Sequence, residues 1–283
     1  MESEGLSRAV RRRLGLGRLL PLGDAQDGAW LAESAAVTSL RAAASSALPH
    51  VRIGDLRISS AGPGTAGVPA VPPPPTALPP GPLRVDAAFA STPHVPLTTT
   101  AELLRATLLT AADRTLGLRV RTVDLRVTDL LESPNGHDGR SSDDGYRAGV
   151  SGAAGLTAGP AGHRAPTPET HPPAPADDPN GAATAQAVIS VPGVTRLDPV
   201  LGPAFGGRAA GAVSVTDTTD AGGRPTGRHL QIQIAVAEAS RALDVARDVR
   251  HAAGKAAAWD AEEPSLPVTV AVLIGAIDPE RHR

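Results

Sequence analysis

The stretch Val191–Gly202, VPGVTRLDPVLG, decides how we divide the chain, because an earlier stretch is similar to it. The earlier stretch, LPHVRIGDLRI, begins 143 residues before it at Leu48. Three pairs of matching positions are separated by nearly constant intervals: 143 residues from Pro49 to Pro192, 147 from Leu83 to Leu230 and 145 from Val123 to Val268. A constant offset at several anchors is typical of an internal repeat. The sequence therefore predicts a tandem duplication of one module.

Each predicted module has the element order helix, strand, strand, helix, strand, which gives an α+β fold with a small sheet and helices on one face. In the first module, a helix over Gly28–Leu48 precedes a strand with a bulge near Gly54, where the inward phase shifts from Val51 and Ile53 to Leu56 and Ile58. The next strand alternates in polarity, with four residues on one face: Leu83, Val85, Ala87 and Phe89.

The second helix of the first module is predicted from its end signals. Thr99 and Glu102 have the spacing of a capping box, and Gly117 is placed to end the helix in a left-handed conformation. Its predicted inward face consists of Leu104, Leu108 and Ala111. The closing strand is predicted to turn three residues inward: Val123, Leu125 and Val127.

The second module repeats this order more loosely. Its alternating strand has four predicted inward residues: Leu230, Ile232, Ile234 and Val236. The charged residues of the helix Glu238–Trp259 are interpreted as a solvated face with ion pairs three residues apart: Arg241, Asp244, Arg247, Asp248 and Arg250. The last strand is apolar on both faces, so we expect its sheet to pack against the other module or a second chain.

Composition sets the boundaries between these parts. Of 283 residues, Gly contributes 30 and Pro 28, and they are concentrated in two stretches. One, residues 133–181, has almost no branched apolar residues and predicts a disordered linker. The other, residues 62–82, predicts an extended Pro-rich loop. The predicted organisation is a basic amphipathic segment over 1–27, a first module over 28–132, the linker over 133–181 and a second module over 182–278.

The totals also exclude classes of function. A formal net charge of -2 gives no general attraction to nucleic acid. The absence of Cys rules out disulfides and thiolate sites. The apolar run Val268–Ile277 is about half of a membrane span, and the N-terminal arginines precede no clear cleavage site. We expect a cytoplasmic protein.

No residue pattern in the chain predicts catalysis. The glycine pattern GPGTAG at residues 62–67 is followed by prolines, which cannot form the helix that a dinucleotide site needs. No histidines stand at a helical metal-ligand spacing, and no serine occupies a nucleophile elbow. We therefore expect no enzyme activity and assign no catalytic, cofactor-binding or metal-binding residue.

The first module resembles a known family. The residues that carry the resemblance are GAWLAESAAVTSLRAAASSALPHVRIGDL from Gly28, a helix ending in TLGLRV and the strand TVDLRVTDLL. They are similar to the alkaline-shock-protein, or envelope stress response, family of Gram-positive bacteria, in which a helix runs into a VPGV phrase. The resemblance covers residues 28–131 well and 182–278 loosely. The chain is also similar to poorly characterised actinobacterial proteins that carry a nucleopolyhedrovirus-family label.

The resemblance to the alkaline-shock-protein family implies a non-enzymatic, cytoplasmic protein of cell-envelope homeostasis that associates with membranes or with itself. The chain departs from the family by its duplication, by the Pro-rich insertion at 62–82, and by His50 where the second copy has Gly193. We therefore expect a binding or scaffold protein with a protein partner or self-association. The alternative is a module that binds a small molecule in a groove between the two repeats.

Five residues are the candidate interaction sites: Arg11, Arg12, Arg13, Trp30 and Trp259. The three arginines flank an apolar stripe of Leu6, Val10 and Leu14, a pattern that fits either an anionic membrane surface or a helix packed on the first module. The two tryptophans fit packing at a module edge, and both are large enough to anchor a partner.

Overall fold

The structure is a computed structural model that describes residues 17–62, 67–74, 76–131, 179–198, 208–210, 213–219, 225–259 and 267–279. Within these stretches the protein is α+β, as predicted, with two sheets and four α-helices. In chain order the elements are β1 (Leu19–Leu22), β2 (Ala29–Ala32), α1 (Glu33–Ala47), β3 (Val51–Ser60), β4 (Leu83–Ser91), α2 (Leu97–Ala111) with a π-helical turn (Ala112–Leu116), β5 (Val120–Leu130), α3 (Pro179–Ile189), β6 (Val194–Leu197), β7 (Arg208–Ala210), β8 (Val213–Thr219), β9 (Pro225–Ala237), α4 (Ala242–Trp259) and β10 (Val268–Asp278).

The small sheet has the order β3-β4-β5, with β3 and β4 antiparallel and β4 and β5 parallel. The alternation predicted for β4 is confirmed, because all four inward residues are buried: Leu83, Val85, Ala87 and Phe89. The bulge in β3 is also confirmed, since the pairing with β4 shifts register between Ile53 and Leu56. After the bulge, Leu56 and Ile58 are buried while Arg57 between them is exposed.

The prediction for β5 is only partly confirmed. Val123 is buried and Leu125 is half-buried, but Val127 is 41% exposed. The alternation in the sequence predicts which side chains share a face, and it carries no information on how far that face is covered. α2 contacts β5, with Arg105 bound at Val123, whereas Val127 and Leu130 farther along the strand remain open to solvent.

The two signals predicted for the ends of α2 have opposite outcomes. The capping box is wrong: α2 begins at Leu97 after Pro96, and no side chain caps it, so Thr99 already lies inside the helix. The predicted role of Gly117 is confirmed, since its φ of 82° ends the π-helical turn in the left-handed region. The predicted inner face is also buried: Leu104, Leu108 and Ala111.

The large sheet has the order β1-β2-β10-β9-β8-β7, and β6 also pairs with β9. Here the sequence prediction needs two corrections. The segment predicted as the start of a helix at Gly28 contains β2, and the basic segment predicted over 1–27 ends in β1; all eight residues of the two strands are buried. The prediction that each half forms a separate sheet is also wrong for β1 and β2, because β2 pairs in parallel with β10.

The core of the large sheet follows the predicted alternation. The four predicted residues of β9 are all buried: Leu230, Ile232, Ile234 and Val236. Both faces of β10 are buried as well, with Val270 and Val272 on one side and Ala271 and Leu273 on the other. The expected cover comes from within the chain, since α1 and α4 contact β10.

The Pro-rich loop lies along the edge of the large sheet. The Leu19 N–H donates to the Thr76 carbonyl at 3.3 Å, and the Leu78 N–H donates to the Leu19 carbonyl at 2.8 Å. Val71 of the loop is buried. The described parts of this loop lie between β3 and β4, and they cover the free edge of β1 at Leu19. Of the linker predicted over 133–181, residues 133–178 lie outside the described part, and residues 179–181 begin α3.

Candidate binding groove and interaction surfaces

The turn between β1 and β2 joins the N-terminal hairpin to α4. Arg247 donates to Asp27 from Nε at 2.8 Å and from Nη2 at 3.1 Å. Burial raises the pKa of Asp27, but the hydrogen bonds from Arg247 and from the Asp24 N–H outweigh it, so the pKa lies below its ordinary value. Asp27 is therefore held as a carboxylate that binds the two halves together.

Arg250 secures the same turn from its other side. Its Nε donates to the Val270 carbonyl at 3.0 Å, and its Nη1 donates to the carbonyls of Gln26 and Asp27, each at 2.7 Å. The turn fits against this guanidinium through Gly28, whose φ is 53° and whose missing Cβ would lie 3.2 Å from Arg250 Cζ. Burial lowers the pKa of Arg250 from its ordinary value.

A third contact joins the start of α4 to the π-helical turn. Arg241 donates from Nε to the Asp113 carbonyl at 3.0 Å and pairs with Asp244 at 3.1 Å. Leu243 packs on Gly117, where any Cβ would overlap the leucine side chain. The predicted ion pair of Asp244 with Arg247 is present at 3.8 Å. The predicted solvated face is wrong in that Arg241, Arg247 and Arg250 also bind residues of the first half.

These contacts position a groove of about 860 Å³. Its walls are the β1–β2 turn, the Pro-rich loop, and the π-helical turn with the start of β5; the polar lining residues are Asp24, Gln26, Asp113, Arg119 and Arg121. Arg119 forms an ion pair with Asp24. Within the described part of the chain, Arg121 forms neither an ion pair nor a side-chain hydrogen bond.

The location of this groove differs from the one predicted. A ligand groove was expected between the two repeats, yet every residue that lines this one lies between Asp24 and Arg121. The second half reaches its rim through the contact of Arg241 with Asp113. Two of the groove walls had local signals in the sequence: Gly117 after the helix, and the prolines of the loop. Neither signal indicates that the π-helical turn and the loop lie next to each other.

The second surface is the outer edge of β5. Arg105 of α2 donates from Nε to the Val123 carbonyl at 3.2 Å, on the side away from β4. No strand pairs with this edge among the residues that the structure describes. Val127 and Leu130 beside it are 41% and 54% exposed. The face of the small sheet away from the helices is charged, with Arg84 paired to Asp86 and Asp124.

A group of half-buried and buried polar side chains lies on one face of the large sheet. His229 Nδ1 is 2.9 Å from Thr269 Oγ1, and burial lowers the pKa of this half-buried histidine. On the same face, Leu273 is flanked in register by Trp30 and Gln233. Trp30 Nε1 and Gln233 Oε1 are buried and have no hydrogen-bond partner in the described residues. Trp30 and Gln233 do not form one polar site, because β10 lies between their strands, β2 and β9.

The predicted interaction residues are not brought together. Trp30 is 1% exposed within β2, so it packs in the core and offers no surface to a partner. Trp259 is the last residue of α4, and its side chain lies outside the described part. Arg11, Arg12 and Arg13 lie outside the described residues.

Among the residues that the structure describes, no helix is both long and apolar enough to cross a membrane, and no three metal-ligating side chains of His, Asp or Glu lie together.

No family model matches the chain, and no curated protein sequence matches it.

Proposed function

We propose that the chain is a non-enzymatic binding or scaffold protein that associates with a protein partner through the outer edge of β5. One comparison within the chain carries the proposal. The last strand of the large sheet, β10, has its outer edge paired with β2, whereas the corresponding edge of β5 has no strand partner among the described residues. An exposed sheet edge is a template for an added strand.

We further propose that the two halves derive from one duplicated module. Each sheet has a central strand with an antiparallel neighbour that precedes it in the chain and a parallel neighbour that follows it through a helix: β4 lies between β3 and β5, and β9 between β8 and β10. Sheet topology and the regular offsets in the sequence support the same division. On this proposal, β2 belongs to the first copy in sequence and pairs with β10 in the sheet of the second copy.

The resemblance to the alkaline-shock-protein family supports a cytoplasmic role in cell-envelope homeostasis, at the inner face of the membrane. The N-terminal arginines are the candidate contact with anionic lipid. About 1 kcal/mol per arginine near such a surface predicts that replacing Arg11, Arg12 and Arg13 by Gln weakens binding to phosphatidylserine vesicles by about 100-fold. Vesicles of phosphatidylcholine are the control, and equal sedimentation of both proteins with either vesicle contradicts the membrane contact.

The partner proposal is tested by site-specific photo-crosslinking in the native cell. A photoreactive residue at Val127, beside the β5 edge, is expected to give a protein adduct. The matched control is Val68 of the Pro-rich loop, which is 86% exposed and lies outside the small sheet. Adducts from Val68 alone, or from neither position, contradict association through β5.

A small anionic molecule in the groove is the second candidate, and one observation favours it. Arg121 lines the groove without a carboxylate partner among the described residues, while the neighbouring Arg119 is neutralised by Asp24. Pyrophosphate is expected to raise the melting temperature in a saturable way, and Arg121→Ala is expected to abolish that rise. An unchanged melting temperature of the full chain with pyrophosphate contradicts the anion site.

A further inference from the structure

The sequence of β5 is self-complementary about Leu125. Reading outward from that residue in both directions, the apolar and hydroxyl positions match and the charged positions have opposite signs. The four pairs are Asp124 with Arg126, Val123 with Val127, Thr122 with Thr128, and Arg121 with Asp129. Two such strands that run antiparallel about a two-fold axis place Asp124 opposite Arg126 and Val123 opposite Val127, while the outer two pairs lie where β5 shifts register against β4.

We propose that the chain forms a symmetric homodimer in which β5 pairs with β5 of a second copy, antiparallel and centred on Leu125. The product is a continuous six-stranded sheet with the order β3-β4-β5-β5-β4-β3. This inference rests on the proposed use of the β5 edge and names its partner. A two-fold contact is isologous and closes with two copies, so this edge yields a dimer and no filament.

The backbone of β5 is set for this pairing. The carbonyl of Val123 faces outward, because Val123 lies opposite Val85 and the backbone of Leu83, on the same side of β4 as Val85, bonds toward β5. It accepts from Arg105 with one lone pair and keeps a second for an N–H of the other copy. The pairing of β4 with β5 is regular from Thr122 to Val127, between two register shifts. Backbone groups of alternate residues in this part point to the same side, so Leu125 and Val127 also direct their N–H and C=O groups outward. Leu125 opposite its own copy is then a hydrogen-bonded pair. Arg126 and the partner's Asp124 form the adjacent non-hydrogen-bonded pair, in which side chains approach most closely.

The side-chain charges favour the same contact. The side chain of Arg126 has no ion pair or hydrogen bond within the described residues, so it is available for a carboxylate of the second copy. Asp124 is 49% exposed and pairs with Arg84 at 2.9 Å. The partner's Arg126 therefore extends an existing pair into a chain of alternating charges, and the two-fold axis repeats the contact.

Charge also selects the register. A slip of two residues in one direction places Arg126 opposite Arg126 of the second copy, and a slip in the other direction places Asp124 opposite Asp124. Like charges directly opposite each other destabilise a strand pair. Only the register centred on Leu125 pairs opposite charges at both positions, and it also places Val123 opposite Val127.

The test is the mass of the full chain in solution, measured by sedimentation velocity from 1 to 100 µM. The wild-type protein is expected at twice its chain mass of 28.6 kDa. Arg126→Glu faces the partner's Asp124 and is expected to weaken the dimer at least tenfold. Adding Asp124→Arg reverses both charges and is expected to restore it, since Arg84 retains Asp86. Lys255→Glu, exposed on α4 and outside the small sheet, is the control and is expected to leave the dimer unchanged.

Each outcome decides between the two proposals. A wild-type protein that is monomeric at 100 µM, or an Arg126→Glu variant that dimerises as tightly as the wild type, overturns the dimer. If Arg126→Glu is monomeric and the double variant stays monomeric with native circular dichroism, the register is wrong. Crosslinking at Val127 distinguishes the dimer from the proposed scaffold function. If the chain is monomeric and Val127 crosslinks to a different protein, self-pairing is rejected and the scaffold function is retained.

Discussion

Arg247 of α4 forms two hydrogen bonds to the carboxylate of Asp27, a residue 220 positions earlier in the chain. Asp27 has only 12% of its side chain exposed, while Arg247 has 48%. Together with Arg250, which binds the carbonyls of the same turn, this contact fixes the N-terminal hairpin to the second half of the chain. The same turn lines the groove and leads into β2, which pairs with β10.

The Asp27 contact predicts a pH-dependent loss of stability. Asp27→Asn removes a charge-assisted pair and is expected to lower the free energy of unfolding by about 1–2 kcal/mol at pH 7. Because the pKa of Asp27 is lowered by folding, its stabilisation is present above the unfolded value near 3.8 and is lost as the pH falls through the lower folded value. The difference between variant and wild type is therefore expected to shrink below about pH 4.

Urea unfolding at pH 7 and pH 3 measures this difference. Asp86→Asn is the control, because Asp86 pairs with Arg84 on an exposed surface and is expected to change stability by less than about 0.5 kcal/mol. A loss for Asp27→Asn that is as large at pH 3 as at pH 7 contradicts the ionic contribution.

Two glycines predict opposite effects of the same substitution. Gly117→Ala forces a side chain into a φ of 82° and into Leu243, so we expect a loss of about 2–4 kcal/mol. Gly254 lies inside α4 with nothing within 4 Å of its missing Cβ, so Gly254→Ala is expected to gain about 0.5–1 kcal/mol. Chemical denaturation compares them, and equal effects count against the packing of α4 on the π-helical turn.

Gln233→Met is expected to stabilise the protein by about 1 kcal/mol. The Gln233 Oε1 atom is buried with no partner in the described residues, and methionine keeps the volume while removing the unsatisfied acceptor. Gln231→Met, on the same face of β9 and half-buried, is the control and is expected to be nearly neutral. A loss of stability for Gln233→Met in thermal unfolding shows instead that the oxygen is satisfied.

Cleavage between the halves is expected to leave them associated. A specific protease site inserted after Gly155 separates β1–β5 from α3–β10 covalently, but the parallel pairing of β2 with β10 still joins them. The two fragments are expected to co-elute in size-exclusion chromatography under native conditions and to separate in urea. Fragments that elute apart without denaturant show that the shared sheet does not form in solution.

Several elements could be read from the sequence because their signals are local. The alternation of β4 and β9 predicts their buried faces, since side chains of a strand point to opposite sides whatever lies beyond them. The bulge in β3 follows from a break in that alternation, and Gly117 ends its helix because glycine tolerates a positive φ. The α+β class follows from the order of these elements.

Other features depend on contacts between distant residues. The four residues of β2 are a strand rather than the start of α1 because β1 and β10 supply hydrogen bonds on both sides, and no local pattern encodes those neighbours. The same reason explains why Arg247 and Arg250 bind a turn 220 and 223 residues away. Side-chain spacing determined the faces of each element, and tertiary packing decided which of those faces and edges meet.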